Sequence, residues 1–361
     1  MPTPAGPEGR QQTGTSDPVP APDGGKPRRL FLTGATGLIG RRLVPALHRR
    51  GWSVRALVRN PESDATQELA SAGVELHPGD VTRPETLPAA MAGVDAVLHA
   101  AAWYDYGIRR RDRERMRETN VTGTRHTLDA ALAAGVPRIV HVSSIVAFGH
   151  TDGEIADESY RRRAPPRSVY EETKTEAHAY AVELQARGAP LIVACPSGVF
   201  GPGDPAVNGR LLRLYVRGWY PPVSACVDGR IGWVHVDDVT AGLVACLERG
   251  TLGHTYILSA GVMRNGDLVS LWQRTPGGAR RAWVNLPDAV ARPLFGLAAL
   301  AESLVRDRVL FSREFVAVSS AHYAVTAAKA ERELGLRFRD LEEAWLETLA
   351  QEREAARRPR A

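Results

Sequence analysis

Lysine is nearly absent from this 361-residue chain, which writes its positive charge as arginine and keeps lysine only at Lys26, Lys174 and Lys329. A residue used so sparingly needs a reason where it stands. Cysteine is scarce too: Cys195, Cys226 and Cys246 are odd in number and lack metal-ligand spacing, so neither a disulfide nor a metal site is expected. No uninterrupted apolar run reaches the roughly 18 residues a bilayer crossing needs, and the N-terminal stretch has no apolar signal-peptide core. A cytoplasmic protein without a membrane span is expected. Residues 1–26 hold almost no large apolar side chains and cannot offset the entropy of ordering, which predicts a disordered extension. Long blocks of one charge are missing as well. The net charge is +5, yet the run from Arg109 to Arg115 interleaves Asp112 and Glu114, so a solvated helix face explains it better than a nucleic-acid partner. The same holds for Arg161, Arg162, Arg163 and Arg167, with attraction of an anionic ligand as the alternative.

A hydrophobic content of 43% supports a substantial core. The apolar run Arg28 to Leu32 reads as a buried strand and is followed at once by Thr33-Gly34-Ala35-Thr36-Gly37-Leu38-Ile39-Gly40 at the start of a helix. Glycines at Gly34, Gly37 and Gly40 permit a tight turn, close approach of backbone N–H groups to a pyrophosphate, and close packing of helix on strand. Short apolar segments then alternate with helical stretches: Ser53 to Arg59, Val74 to Pro78, Ala96 to Ala101, Arg138 to Ser144 and Leu191 to Ala194. That alternation predicts an α/β fold with a doubly wound parallel sheet.

Downstream, Lys174 follows Tyr170 by four residues, a spacing that puts both side chains on one helix face. A nearby ammonium favours the phenolate, and arginine's planar fork cannot copy its compact charge. With the strand–glycine–helix pattern upstream, the pair makes the chain resemble the extended branch of the short-chain dehydrogenase/reductase superfamily from about Arg28 to Ala350. Within that branch it is similar to the dihydroflavonol reductase, cinnamoyl-CoA reductase and 3β-hydroxysteroid dehydrogenase-like group.

The resemblance implies a Rossmann domain over 27–200 and a smaller, mainly substrate-binding C-terminal lobe over 201–350. It also implies a return segment to the Rossmann domain at about 230–260, with Asp237 or Asp238 capping a helix, and a flexible tail over 351–361. Ser144, Tyr170, Lys174 and Asn120 take the catalytic places, with Ser143 as the alternative serine. Gly34, Thr36, Gly37, Leu38, Ile39, Asp80, Val81, Ala100, Ala101, Ala102, Lys174, Pro196 and Val199 take cofactor positions, and His99 stands where asparagine is often found. Arg59, at the end of the second strand where an acid would accept from a ribose 2′-OH, favours NADP(H) over NAD(H).

The implied reaction is hydride transfer to a carbonyl, or from the alcohol. Trp103, Tyr104, Tyr106, Phe148, Phe200, Trp219 and Tyr220 are expected to face a bulky, partly apolar small molecule. The alternatives are a nucleotide-sugar epimerase or dehydratase with tightly held NAD, and an NADP-sensing regulator without turnover. Against a dehydratase, Ser144 is followed by Ile145 and Val146 rather than Asp-Glu. Lys329 matches a structural segment, Pro287 to Val305 reads as an apolar helix over the lobe, and dimerisation is common in the superfamily.

Overall fold

The computed structural model describes residues 27–219, 223–224, 226–275, 284–285, 293 and 312–357. The expected disordered extension, Tyr220 to Pro222 and, apart from Pro293, the helix expected over Pro287 to Val305 lie outside the described residues.

Seven strands form the main sheet: β1 (Arg28–Thr33), β2 (Trp52–Val58), β3 (Glu75–Pro78), β4 (Ala96–His99), β5 (Ile139–Val142), β6 (Leu191–Pro196) and β10 (Thr255–Leu258). Their order is β10-β6-β5-β4-β1-β2-β3, and every pairing is parallel. The fold is a Rossmann-like, doubly wound sheet. Leu30, Phe31 and Leu32 are all fully buried because helices cover both faces, which is why these strands read as continuous apolar runs instead of alternating ones.

On one face α1 (Leu38–Arg49) packs beside α8 (Val236–Arg249). The buried residues Gly40, Leu43, Val44 and Leu47 of α1 fall at helical spacing on one stripe. The opposite face holds α5 (Gly123–Ala133) and α6 (Val169–Ala186). Ser168 caps α6, its hydroxyl accepting from the Glu171 amide at 3.1 Å.

A second sheet joins β7 (Gly198–Phe200), β9 (Arg230–His235), β11 (Gly261–Arg264) and β13 (His322–Tyr323) around β9. A short pair links β8 (Val223–Ser224) with β12 (Val284–Asn285). The expected return at about 230 therefore starts later: β9 stays in the second sheet, while α8 packs on the main domain and β10 extends its sheet. His235, whose Nδ1 accepts from the Asp237 amide, caps α8 in place of either acid. Asp237 instead pairs with Arg42 at 2.7 Å and Asp238 with Arg339 at 3.2 Å. The helix Leu341–Arg357 runs on past the expected start of the flexible tail, because buried Glu352 accepts from the Gly203 amide at 2.8 Å and pairs with Arg213 at 3.4 Å.

Candidate active site

A cleft of about 900 Å³ runs across the C-terminal ends of β1, β2, β4, β5 and β6. This is where doubly wound sheets leave room for ligands. It is lined by Gly34, Thr36, Gly37, Leu38, Ile39, Arg59, Asp80, Val81, Ala100, Ala101, Ala102, Pro196 and Val199, together with Ser144, Tyr170 and Lys174. Of the residues singled out above for cofactor or catalysis, Asn120 alone is not on its wall.

At one end, the turn after β1 is built for backbone approach. Gly34 has φ +76, and a Cβ there would sit 2.7 Å from the Ala100 carbonyl carbon. A Cβ on Gly40 would run into the carbonyl oxygen of Gly34. Gly37 caps α1 without a side-chain partner, and no acid stands in the first turn, so the helix's leading amides face the cleft with their positive dipole end uncompensated. A dinucleotide's pyrophosphate fits that cradle. Exposed Arg59 lies at the same end with no ion pair or hydrogen bond among the described residues. Asp80 spends one carboxylate oxygen on the Thr82 amide and hydroxyl, both at 2.9 Å, as an ordinary turn residue does, while still facing the cleft.

At the other end, Tyr170 and Lys174 project from one face of α6 toward β5. Burial pushes the Tyr170 phenol up to about 12, and the nearby Ser144 hydroxyl opposes that rise. Lys174 is 2% exposed, donates to the Val142 carbonyl at 2.9 Å, and is pushed down by burial to about 8. The expected lowering of the phenol by the ammonium is thus not found: the lysine proton is directed to a backbone carbonyl, and burial dominates the tyrosine. Ser143 turns under α6 to His178 at 2.9 Å, leaving Ser144 as the serine that meets Tyr170.

Asn120 is buried and fully engaged elsewhere. Its side chain accepts from the Trp103 amide at 2.7 Å and donates to the Trp103 carbonyl and the Thr173 hydroxyl, both at 3.0 Å. It positions the chain after β4 and does not line the cleft. His99 is likewise structural, bonded to Thr33 at 2.7 Å and Thr124 at 3.0 Å, with its imidazole held neutral by burial.

Sequence reasoning missed Glu171, which sits inside the Tyr-to-Lys motif and is 1% exposed. It pairs with Arg162 at 2.8 Å and accepts from the Arg167 amide at 2.7 Å and the Tyr323 hydroxyl at 3.1 Å. Arg162 also donates to the Val146 carbonyl at 2.7 Å, so it is neither a solvated face nor an anion attractor: it ties the loop after Ser144 to α6. A buried glutamate beside an arginine-rich run was the available signal. The aromatic set needs correction as well. Trp103, Tyr104 and Tyr106 line the cleft, but Phe148 and Phe200 are core residues and Trp219 is 69% exposed. Phe200 stacks on Trp345 at 3.8 Å, while Phe315, Trp233 and Tyr323 reach the cleft from the second lobe.

A glycine cradle, a cleft at the carboxyl edge of the sheet, and a Ser–Tyr–Lys set at its far end define a nicotinamide-nucleotide-dependent oxidoreductase of the Rossmann type. A model of the NAD dependent epimerase/dehydratase family matches residues 30–259, and the chain belongs to that family. It is 34% identical over 237 residues to a putative dihydroflavonol 4-reductase of Synechocystis, covering 63% of this chain and 67% of that protein. It is 32% identical over 338 residues to the 4-hydroxy-2-methyl-3-oxo-4-farnesyl-3,4-dihydroquinoline-1-oxide ketoreductase of Stigmatella aurantiaca, covering 90% and 96%. Among solved structures, that of gox2253 superposes with a TM-score of 0.75 at 31% identity, covering 91% of this chain and 99% of the other.

Among the described residues no helix is long and apolar enough to cross a membrane, and no cluster of three or more His, Cys, Asp or Glu side chains could hold a metal ion.

Proposed function

We propose that the protein reduces a carbonyl group of a bulky, partly apolar small molecule, or oxidises the matching alcohol, with NADP(H) preferred over NAD(H). The observation that carries this is that Tyr170, Ser144 and Lys174 line the same cleft as the glycine cradle. Bound nicotinamide supplies the hydride or takes it. Ser144 holds the substrate oxygen, and Tyr170 gives it a proton. With its proton affinity pushed up to about 12, Tyr170 is fully protonated near neutrality, the state carbonyl reduction needs. The chain is similar over nearly its whole length to a ketoreductase, which supports reduction of a ketone.

Cofactor preference follows from Arg59. A 2′-phosphate gains charge-assisted, two-pronged bonds from a guanidinium, whereas a ribose hydroxyl does not. Fluorescence titration with NADPH and NADH, in wild type and Arg59→Ala, tests it. The variant is expected to lose roughly 10- to 100-fold in NADPH affinity and little in NADH affinity. Equal loss for both, or NAD that co-purifies and will not exchange, would favour an epimerase instead.

A further inference from the structure

Between β4 and the helix Arg110–Arg117 the chain lines the cleft from Trp103 to Tyr106, bending at Tyr106 and Gly107 (φ +67 at Gly107), and Trp103, Asp105 and Gly107 are fastened from three different places. Trp103 is held through both backbone polar groups by Asn120 at 2.7 and 3.0 Å. Asp105, 7% exposed, takes Arg210 of α7 (Val207–Val216) at 3.0 Å. The Gly107 amide donates at 3.1 Å to Glu314, whose other oxygen accepts from the amide of Val169, the first residue of α6, at 3.3 Å.

With Trp103, Asp105 and Gly107 fixed, Tyr104 and Tyr106 are held between them, and both rings lie against Tyr170. The Tyr104 and Tyr106 ring centroids lie 4.8 and 6.0 Å from that of Tyr170, and 5.4 Å from each other at 83°. Both rings line the cleft beside Tyr170. Ile108, Ile145, Val146 and Val318 complete an apolar surround.

We propose that Trp103 to Gly107 is a specificity strap: Tyr104 and Tyr106 form an aromatic wall that selects substrates carrying a planar ring beside the reacting carbon, and Arg210 and Glu314 set the position of that wall. The proposal rests on the reductase reading above and names its substrate class. Rings at these separations prefer edge-to-face or offset partners, a preference an open chain of equal apolar area cannot satisfy.

The test uses the full chain saturated with whichever of NADP⁺ and NAD⁺ binds more tightly. Binding of 2-naphthol is followed by fluorescence, and 1-octanol is titrated as its competitor. Tyr104→Leu and Tyr106→Leu are each expected to weaken 2-naphthol by about three- to tenfold while changing 1-octanol less than twofold. Tyr104→Phe, which keeps the ring, should retain most of the 2-naphthol affinity and guards against a folding defect in the leucine variant. Arg210→Ala, which leaves both rings in place, should weaken 2-naphthol in the same direction. No saturable binding by the wild type, or equal losses for ring and chain, overturns the strap. Cofactor affinity in the same samples separates the two claims. A wild type that binds neither nucleotide sinks the reductase reading, while one that binds nucleotide but shows no ring preference sinks the strap alone.

Discussion

Lys174 is a charge kept where charge is expensive. The unfolded chain titrates a lysine near its ordinary value of about 10.4. The folded protein holds Lys174 down to about 8, because burial disfavours the ammonium more than its bond to Val142 favours it. Between those values the unfolded state binds more protons, so stability rises with pH across the window, and below 8 the full penalty applies. At about 1.4 kcal/mol per unit the penalty near neutrality is roughly 3 kcal/mol. Lys174→Met removes it. In urea unfolding at pH 7 and pH 9.5, the stability of the variant relative to wild type should fall by about 2 kcal/mol on going to the higher pH. A difference that does not depend on pH would mean that the lysine is not desolvated. The four-residue spacing from Tyr170 to Lys174 was legible in the sequence, since it follows from helical geometry. The acceptor of the lysine's proton was not, because Val142 lies 32 residues away on a strand end.

At the scale of elements, the site depends on α6 and the loop after β5 keeping their relation, and the joint is the Arg162–Glu171 pair. Glu171 is 1% exposed and Arg162 bonds three further carbonyls, those of Val146, Ala147 and Ala164. Replacing one partner leaves a buried charge with less compensation, which typically costs about 3 to 5 kcal/mol. Arg162→Met should lose stability on that order. The double variant Arg162→Met with Glu171→Gln should recover part of it, because the stranded carboxylate is gone; chemical denaturation of the three proteins checks this. If the double variant is worse than the single, the pair is not what the loop relies on. Six of the seven strands of the main sheet, all but β10, were readable to within a few residues, because burial on both faces makes the central ones short apolar runs between turn residues. Arg162 and its neighbours were not, since composition cannot distinguish a solvated arginine from one that bonds a carboxylate and three carbonyls.

Across the whole molecule, the two lobes are joined by contacts between residues far apart in sequence, and this is where the sequence was least informative. The strand β9 finds partners at Gly198, Gly261 and His322, and no local pattern announces such pairings. The C-terminal helix belongs to the same assembly. Trp345 stacks on Phe200 at 3.8 Å and packs against Trp233 and Trp272, while Glu352, 6% exposed, reaches back to the Gly203 amide and Arg213. A flexible tail was expected from residue 351, yet a buried carboxylate with two donors is worth more to the fold than an exposed one. A chain ending at residue 350 should therefore melt a few degrees below the full chain, since losing about 2 kcal/mol against roughly 2.1 cal/mol/K of unfolding entropy per residue moves the midpoint of a chain this long by about 3 °C. A chain ending at residue 357 should melt with the full chain. Glu352→Gln should fall between them, keeping the helix and part of the hydrogen bonding while giving up the ion pair. Thermal unfolding of the four proteins side by side decides the matter, and equal midpoints for the chains ending at 350 and 357 would show that the lobes are held without this helix end.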